Sequence, residues 1–458
     1  FGKLAELQVD DQMLAGLLYL PDLTVNGQKR RVLFASTVNN TIYAFDADKL
    51  GPPLWERNFN KDFNASGRPS SQSEVNFNGN VNFSGNVGIV GTPVIATSTN
   101  TMYLVTRTEE DASVVQRLWA IDVTNGNNRV RPVIISAGEF SSDRNNQRSA
   151  LAYGNETVYI AWASYGDAAP YHGMVKAYDS KILLSVGEFN VTPSGEMGGI
   201  WMAGGAPSMD TEGNLYYATG NGTWNGETDF GVSIVKLRAR TLEVLDWFTP
   251  YDWQNLNNND LDLGSSYPVI LPGLNMLIIG GKAGKMYLLN TDNLGRIAEQ
   301  DSQIPQSWDT SSVMHHGIAA WRGPNGLTLY TWNGNEYLRA YRYDSSSRKF
   351  ILPSVAQGAV IANGFPATGL TISSNSDKPG TGVVWATVPM GNALTLSVPG
   401  RLFAFSAEEA DGELPLLWTS EAPEDDMHYY AKGSPPLVLN GRVYVPSASN
   451  VISVYGLK

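Results

Sequence analysis

The sequence predicts an all-β, eight-bladed propeller, and several features of the chain support this fold class. A phrase of hydrophobic strand, turn and tyrosine–x–hydrophobic–aspartate recurs, most clearly over residues 32–46 with Trp55 after it. Related copies end near positions 122, 179, 290, 344, 405 and 455, and a spacing of roughly 45–60 residues is typical of four-stranded blades. Asn-Gly dipeptides, including those that begin at positions 125, 221, 225 and 333, indicate hairpins. No long apolar stretch has a helical period, so little helix is expected.

The blades are predicted to follow one another and to close into a ring. We place seven of them at residues 11–60, 87–137, 147–193, 199–250, 262–298, 312–355 and 364–420. Residues 433–456 supply about three more strands, and the alternating segment 3–9 supplies a fourth, so the termini pair and remove an exposed sheet edge. The chain 1–458 is then one propeller domain, with a seven-bladed ring as the alternative. The polar stretch 58–86 is predicted to be a long loop over one face, with or without a binding role.

Composition excludes several function classes. The 44 acidic residues exceed the 32 lysines and arginines, and the net charge of −12 would repel a nucleic acid backbone. The chain has no cysteine, which excludes disulfides, thiolate catalysis and cysteine-ligated zinc. No apolar run reaches the roughly 18 residues that a membrane-spanning helix needs.

Export from the cell is expected from two observations. The chain begins at Phe1, as a processed protein does. Glycosylation sequons of the Asn-x-Ser/Thr type occur at Asn39, Asn64, Asn82, Asn155, Asn190 and Asn221. We therefore expect an extracellular or periplasmic protein, and a glycoprotein if the sequons are used.

Two motifs in the middle of the chain resemble those of the quinoprotein alcohol dehydrogenase family, whose eight-bladed propellers carry pyrroloquinoline quinone (PQQ) on the ring axis. Residues 198–201 read Gly-Gly-Ile-Trp, and residues 219–221 read Thr-Gly-Asn, followed by Trp224. The resemblance implies that Trp201 stacks on the quinone and that Asn221 binds a calcium ion. An indole face suits a flat ring, and an amide oxygen suits a hard cation. The structural alternative is that Trp201 fills the core and Asn221 shapes a turn.

Acidic residues complete the site that the resemblance implies. The family phrase that carries a general base corresponds to Thr-Pro-Tyr-Asp-Trp at 249–253, an Asn-rich insertion, and then Asp260-Leu261-Asp262. Side chains two apart on an extended segment share a face, so Asp260 and Asp262 are predicted to act together, as a base or as calcium ligands. A solvated pair is the alternative. The resemblance also implies that Asp167 is an acidic calcium ligand.

A basic residue and several departures complete the comparison with this family. Lys282 precedes the strand 284–289 and matches the cation that polarises the quinone oxygens. The vicinal cysteine pair is absent, and residues 86–88 (Asn-Val-Gly) lack the arginine that binds the quinone carboxylates. Losing a cation weakens the binding of a tricarboxylate.

The chain is also similar to a group of secreted bacterial PQQ-like propellers without an established activity, through the Gly-Ile-Trp, Gly-Asn-Gly-Thr and Pro-Tyr-His-Gly segments and residues 332–341. We therefore expect an exported, non-catalytic binding or structural and assembly protein without bound quinone. Its partner would be a small molecule, a glycan or a protein at the propeller axis or face. The alternative is an alcohol or sugar oxidoreductase using PQQ and calcium on the axis.

The histidines give a further alternative. The chain has only four, His172, His315, His316 and His428, and tyrosines at 171, 429 and 430 accompany two of them. Such pairs serve as acid and base in polysaccharide-active enzymes, and histidines also bind transition metals. The structural alternative is that each histidine is satisfied separately.

Overall fold

The computed structural model describes residues 1–62, 68–71, 85–136, 138–310, 312–315, 318–366, 369–393 and 397–458. Most of the predicted polar loop at 58–86 lies outside these ranges, as does His316. Within them, the strands form eight sheets arranged as the blades of a propeller, which confirms the predicted fold class and blade number.

The strands, in chain order, are assigned to blades as follows. The first strand of the chain is β1 (Gly2–Gln8), and blade one contains β2 (Leu18–Val25), β3 (Gln28–Ser36), β4 (Thr41–Asp46) and β5 (Trp55–Asn58). The sheet of blade two contains β6 (Arg68–Ser71), β7 (Asn86–Val87), β8 (Val94–Ala96), β9 (Thr101–Glu110), β10 (Ser113–Asp122) and β11 (Val133–Ile134). Blade three contains β12 (Asn145–Asn146), β13 (Ala152–Gly154), β14 (Thr157–Ser164), β15 (Met174–Asp179) and β16 (Ser185–Asn190). Blade four contains β17 (Ser208–Met209), β18 (Leu215–Ala218), β19 (Ile234–Leu237) and β20 (Val244–Phe248).

The second half of the ring continues in the same way. Blade five contains β21 (Val269–Ile270), β22 (Met276–Gly280), β23 (Lys285–Asn290) and β24 (Gln306–Asp309). Blade six contains β25 (Ile318–Gly323), β26 (Gly326–Thr331), β27 (Tyr337–Asp344), β28 (Lys349–Phe350) and β29 (Ala356–Ile361), and its sheet continues to β33 (Glu413–Leu414). Blade seven contains β30 (Gly369–Ser373), β31 (Val383–Pro389), β32 (Gly400–Ser406) and β34 (Leu416–Thr419). Blade eight contains β35 (Leu437–Leu439), β36 (Arg442–Pro446), β37 (Val451–Gly456) and β1.

Helix is scarce, as predicted. The structure describes one α-helix, α1 (Trp253–Asn258), and short 3-10 turns at Phe59–Asp62, Met202–Gly204, Leu263–Ser265, Glu299–Asp301 and Pro423–Asp425. No helix among the described residues is both long enough and apolar enough to span a membrane.

The ring closes between the chain termini. β1 runs antiparallel to β37, with Gly2 opposite Gly456 and Gln8 opposite Val451. This pairing confirms the closure predicted from the alternation of residues 3–9, and it gives the last blade its outer strand.

Three predicted strand positions were wrong. The first strand of blade one starts at Leu18, inside the predicted start of that blade at residue 11. Asn26 and Gly27 both have positive φ (51° and 75°) and form the tight turn that pairs Val25 with Gln28. The outer strands of blades five and six, β24 and β29, lie beyond the predicted ends at 298 and 355, because long connections precede them.

The recurring aspartate, or an asparagine in blade five, has a structural role at the end of the third strand in five of the blades. Asp46 accepts the backbone N–H of Asp48 at 3.0 Å, and Asp179 accepts that of Lys181 at 3.0 Å. The same two-residue spacing recurs at Asp122, Asn290 and Asp344. Each carboxylate or amide therefore shapes the turn into the outer strand of its blade. The aromatic residue before it contributes to the packing between blades, where Tyr43 and Tyr178 are buried.

Strand direction decides which loops share an end of the ring. Within a blade the strands alternate in direction, so the loop between the second and third strands lies at the same end as the connection into the next blade. We call this end the site end. It carries all the residues that the sequence singles out as candidates: Asp167, Trp201, Asn221, Asp260, Asp262 and Lys282.

Candidate functional site

Lys282 is the centre of a charged cluster at the site end. It lies in the short loop between β22 and β23, where its backbone N–H donates to the carbonyl oxygen of Asp262 at 3.0 Å. Its ammonium nitrogen is 2.6 Å from Oδ2 of Asp262 and 2.9 Å from Oδ1 of Asp260. One cation therefore bridges the two carboxylates that the sequence predicted to act together.

The two carboxylates differ in their surroundings. The Asp262 side chain is 5% exposed, whereas that of Asp260 is 68% exposed. The Asn-rich insertion before them forms α1, and Asp260 then turns the chain with a φ of 55°. The two side chains do meet, but the regular extended segment assumed from the sequence is wrong because the helix and this left-handed turn replace it.

Asn221 links the two carboxylates from the neighbouring blade. Its backbone N–H donates to Oδ1 of Asp262 at 2.7 Å, and its side-chain Nδ2 donates to Oδ1 of Asp260 at 2.8 Å. Its Oδ1 is buried and has no hydrogen-bond partner among the described residues. The side-chain amide of Asn221 thus donates a hydrogen bond to Asp260, and its Oδ1 has no hydrogen-bond partner among the described residues.

Trp201 and its glycines explain the two motifs in physical terms. A Cβ on Gly220 would lie 2.8 Å from Oδ1 of Asp262 and 3.2 Å from Cδ1 of Trp201. A Cβ on Gly199 would lie 2.9 Å from Nε1 of Trp201 and 3.3 Å from the hydroxyl of Tyr171. Only glycine permits these approaches, so the two motifs bring the indole of Trp201 close to Asp262.

Asp167 lies at the edge of the cluster. Its Oδ1 accepts the hydroxyl of Tyr171 at 2.6 Å, and its backbone adopts a positive φ of 51°. Burial raises the pKa of the Asp167 carboxyl, with the Tyr171 hydrogen bond and the Lys282 charge opposing the shift. Asp167 is therefore hydrogen-bonded to the hydroxyl of Tyr171, and the charge of Lys282 acts to lower its pKa without a direct bond between them.

Burial dominates the electrostatics of the cluster. It raises the pKa of Asp262, and the Lys282 ammonium opposes that shift. Burial would lower the pKa of Lys282, but Asp262 and Asp260 raise it above its usual value. His315, on the connection into blade six, has its pKa lowered to about 3 by burial and by the Lys282 charge. At neutral pH, Lys282 is therefore charged beside Asp260 and Asp262, and the imidazole of His315 is neutral.

The donor chemistry does not fit a calcium ion held as the family resemblance implies. Lys282 already holds the two carboxylates, and Asn221 presents its N–H groups rather than its oxygen to them. Among the described residues, no group of three or more acidic or histidine side chains is spaced to hold a metal. The Oδ1 of Asn221, which has no hydrogen-bond partner among the described residues, has the character of a cation ligand.

A second pair of cations, missed by sequence reasoning, closes the axis at the same end. Arg148 precedes the inner strand of blade three, and its Nη2 donates to the carbonyl oxygen of Lys432, which precedes the inner strand of blade eight, at 3.1 Å. A Cβ on Gly204 of blade four would lie 2.8 Å from the carbonyl oxygen of Gly433, so opposite blades approach each other here. Residues just before the inner strand of a blade border the axis of the ring. The positions of Arg148 and Lys432 before such strands were therefore the sequence signal that could have identified them.

These cations lie in an environment unlike that of Lys282. Burial lowers the pKa of Arg148 to about 10, and burial together with the Arg148 charge lowers the pKa of Lys432 to about 7. Nη1 of Arg148 is shielded from solvent and lacks a hydrogen-bond partner within the described ranges.

The histidines do not form one site. His172 contacts Glu139 at 3.1 Å and Thr192, whereas His428 contacts Glu6 at 2.7 Å across the closure of the ring. His315 packs edge-on against Phe365, with ring centroids 4.6 Å apart. Each of the three described histidines has its own partners, which agrees with the structural alternative.

Comparisons with known proteins support the fold. No family model matches the chain. No curated protein matches it either. Among solved structures, BamB from Moraxella catarrhalis matches with a TM-score of 0.56 and 11% identity, covering 100% of this chain and 97% of that one. Quinohemoprotein alcohol dehydrogenase ADHIIG from Pseudomonas putida HK5 matches with a TM-score of 0.57 and 13% identity over 99% of this chain and 76% of that one. The enzyme from Comamonas testosteroni matches with a TM-score of 0.56 and 13% identity over 97% and 72%. The chain thus shares its fold with BamB and with these two alcohol dehydrogenases.

Proposed function

We propose that this protein is a non-catalytic binding propeller that works without a bound quinone. The observation that carries this proposal is the position of Lys282, whose ammonium bridges Asp260 and Asp262 at 2.9 and 2.6 Å. In the quinoprotein reading, these carboxylates would hold calcium and activate a substrate hydroxyl. Here one ammonium of the same protein contacts both carboxylates and offsets one of their two negative charges, so it competes with a calcium ion or a substrate hydroxyl for their oxygens.

Closure of the axis supports the same conclusion. Gly204 and Gly433 approach from opposite blades, and Arg148 reaches Lys432 across the ring. A flat tricyclic ligand stacked on Trp201 would have to part these contacts before it reached the axis. Residues of the site end are then free to serve as a rigid surface for a partner.

The second candidate is an alcohol or sugar oxidoreductase that uses PQQ and calcium. One observation favours it: Trp201, Asn221, Asp262 and Lys282 meet at the site end, as the family resemblance implies. The two proposed functions predict different results when PQQ and calcium are added: only the oxidoreductase would bind both and oxidise an alcohol.

The deciding experiment adds PQQ, calcium, or both to the purified protein, with a reconstituted quinoprotein dehydrogenase as the positive control. We expect no bound-quinone absorbance, no dye-linked alcohol oxidation and no rise in Tm, because a ligand that binds only the native state must stabilise it. Quinone binding and oxidation that both vanish in Trp201→Ala and Asn221→Ala would establish the oxidoreductase instead.

We also propose that the protein works outside the cytoplasm. The sequon at Asn155 is exposed in a turn after β13, with a φ of 51°, so a glycan can be attached there. Asn221 is only 6% exposed and bonded to Asp260, so its sequon is closed in the folded protein. Glycopeptide mapping of protein from its natural source should find glycan at Asn155 and none at Asn221. An unmodified Asn155 would remove this support for export.

A further inference from the structure

A cleft opens beside the charged cluster, between blade four and the insertion that precedes blade five. Its volume is about 490 Å³, and it is lined by Glu196, Met197, Gly222, Thr223, Trp224, Trp253, Gln254, Asn257 and Asn258. Small-molecule sites typically have volumes of about 300–1,000 Å³, so the cleft is large enough for a ligand.

Two indoles form the apolar wall of this cleft. The ring centroids of Trp224 and Trp253 are 4.8 Å apart at an angle of 43°, and Trp247 packs behind Trp224 at 5.9 Å. Nε1 of Trp224 donates to Thr249 at 2.9 Å, which fixes the ring. Both Trp224 and Trp253 remain partly exposed. The wall is therefore rigid, aromatic and accessible to solvent.

The polar wall of the cleft consists of side-chain amides of α1 and the hydroxyl group of Thr223. Asn257 accepts the backbone N–H of Gly222 at 2.7 Å, which fixes α1 against blade four and orients its amide. The Gln254 and Asn258 side chains are exposed on the same helix. An amide offers two donors and an acceptor side by side, the pattern that pairs with neighbouring hydroxyl groups of a polyol.

Charge narrows the class of ligand. Glu196 is the only ionisable side chain among the residues that line the cleft, and no lysine or arginine lines it. An anionic ligand would meet a carboxylate here in a protein of net charge −12. A neutral ligand with an apolar face and a rim of hydroxyls satisfies both walls.

We propose that this cleft binds a neutral oligosaccharide, with a pyranose ring stacked on Trp224 and Trp253 and its hydroxyls bonded to the amides of α1. The C–H face of a pyranose is apolar and flat enough to cover an indole. The inference rests on the proposed function, since it supplies the partner of a binding propeller. It also explains the Asn-rich insertion at 254–259, which builds both the helix and its polar wall.

The test measures binding of cellohexaose, xylohexaose and mannohexaose by calorimetry and by tryptophan fluorescence, with trigalacturonate as the anionic comparison. We expect saturable binding of at least one neutral hexasaccharide and none of trigalacturonate. Trp253→Ala and Trp224→Ala should each weaken that binding by at least tenfold. Trp321→Ala, which changes a partly exposed tryptophan on blade six, should leave it unchanged.

A second variant guards against misfolding. Gln254→Ala together with Asn258→Ala alters exposed side chains only, and we expect a loss of at least threefold with an unchanged Tm. The proposal is overturned if none of the three hexasaccharides binds, if trigalacturonate binds as well as they do, or if the Trp253 and amide variants bind like the wild type. These outcomes are independent of the PQQ experiment, so failure here leaves the proposed absence of quinone standing.

Discussion

The site end of the propeller holds two groups of cations whose pKa values are shifted in opposite directions. Lys282 lies between Asp260 and Asp262, and its pKa is raised. Arg148 and Lys432 approach each other at the axis, and both have lowered pKa values. The comparison teaches that carboxylates raise the pKa of one lysine of the site end, whereas burial beside an arginine lowers the pKa of the other.

The largest effect should come from removing the compensated lysine. Lys282→Met leaves Asp262 buried without its cation, and breaking a buried pair typically costs about 3–5 kcal/mol. Chemical denaturation should show a fall of this order in the unfolding free energy. Lys29→Met breaks an ion pair whose side chains are 77% and 60% exposed, so its effect should stay below about 1 kcal/mol. Equal effects for the two variants would contradict the comparison.

The penalty of Lys282→Met should also depend on pH. Without the ammonium, the pKa of Asp262 rises further above its unfolded value of about 4. At pH values between the unfolded and the folded pKa of Asp262, the folded variant binds more protons than the unfolded variant. The free energy of unfolding of the variant therefore falls as pH rises through this range. The difference from the wild type should therefore be small below about pH 4 and grow toward neutral pH. Urea titrations at several pH values check this trend, and a flat difference would count against it.

Substitution of Lys432 should give a smaller effect of the opposite sign. The pKa of Lys432 is lowered to about 7, so the unfolded chain binds more protons between that pH and the ordinary lysine value of about 10.4. Stability should thus rise with pH through this window, and Lys432→Met should remove the rise. At pH 7 the variant should gain about 1–2 kcal/mol, discounted because part of the side chain is exposed. A loss of stability in Lys432→Met would contradict the lowered pKa on which this prediction depends.

The smallest effect should come from the exposed member of the acidic pair. The Asp260 side chain is 68% exposed, and exposed ion pairs contribute about 0–1 kcal/mol. Asp260→Asn should therefore change the unfolding free energy by no more than that, while Asp262→Asn, at the buried position, should change it more. Thermal unfolding of the two variants side by side makes the comparison, and a larger effect at Asp260 would reverse our assignment of the buried partner.

The sequence was sufficient to predict the ring, because its signals are local. The turn aspartates at 46, 122, 179 and 344 and the Asn-Gly turns repeat with the blades, and alternation in residues 3–9 is enough to predict the closing strand. The glycines at 199 and 220 also gave usable signals, since close approach to Trp201 and Asp262 requires them.

Other features could not be predicted because they depend on contacts across the ring. Arg148 and Lys432 are 284 residues apart, and neither lies in a recognisable motif. The helix α1 arises in an Asn-rich segment of weak helix propensity, held by the bond from Gly222 to Asn257. The second role of the insertion, lining a cleft with two tryptophans, follows only once blade four is in place.

The central claim is that Lys282 supplies the counter-charge of the acidic site. A double-mutant cycle of Lys282→Met, Asp262→Asn and the double variant, followed by chemical denaturation at pH 7, tests it most directly. We predict that the double variant is more stable than the sum of the two single losses implies, with a coupling of about 2–3 kcal/mol, and that calcium changes none of the four unfolding curves. Additive losses, or a wild-type protein that calcium stabilises, would contradict the account.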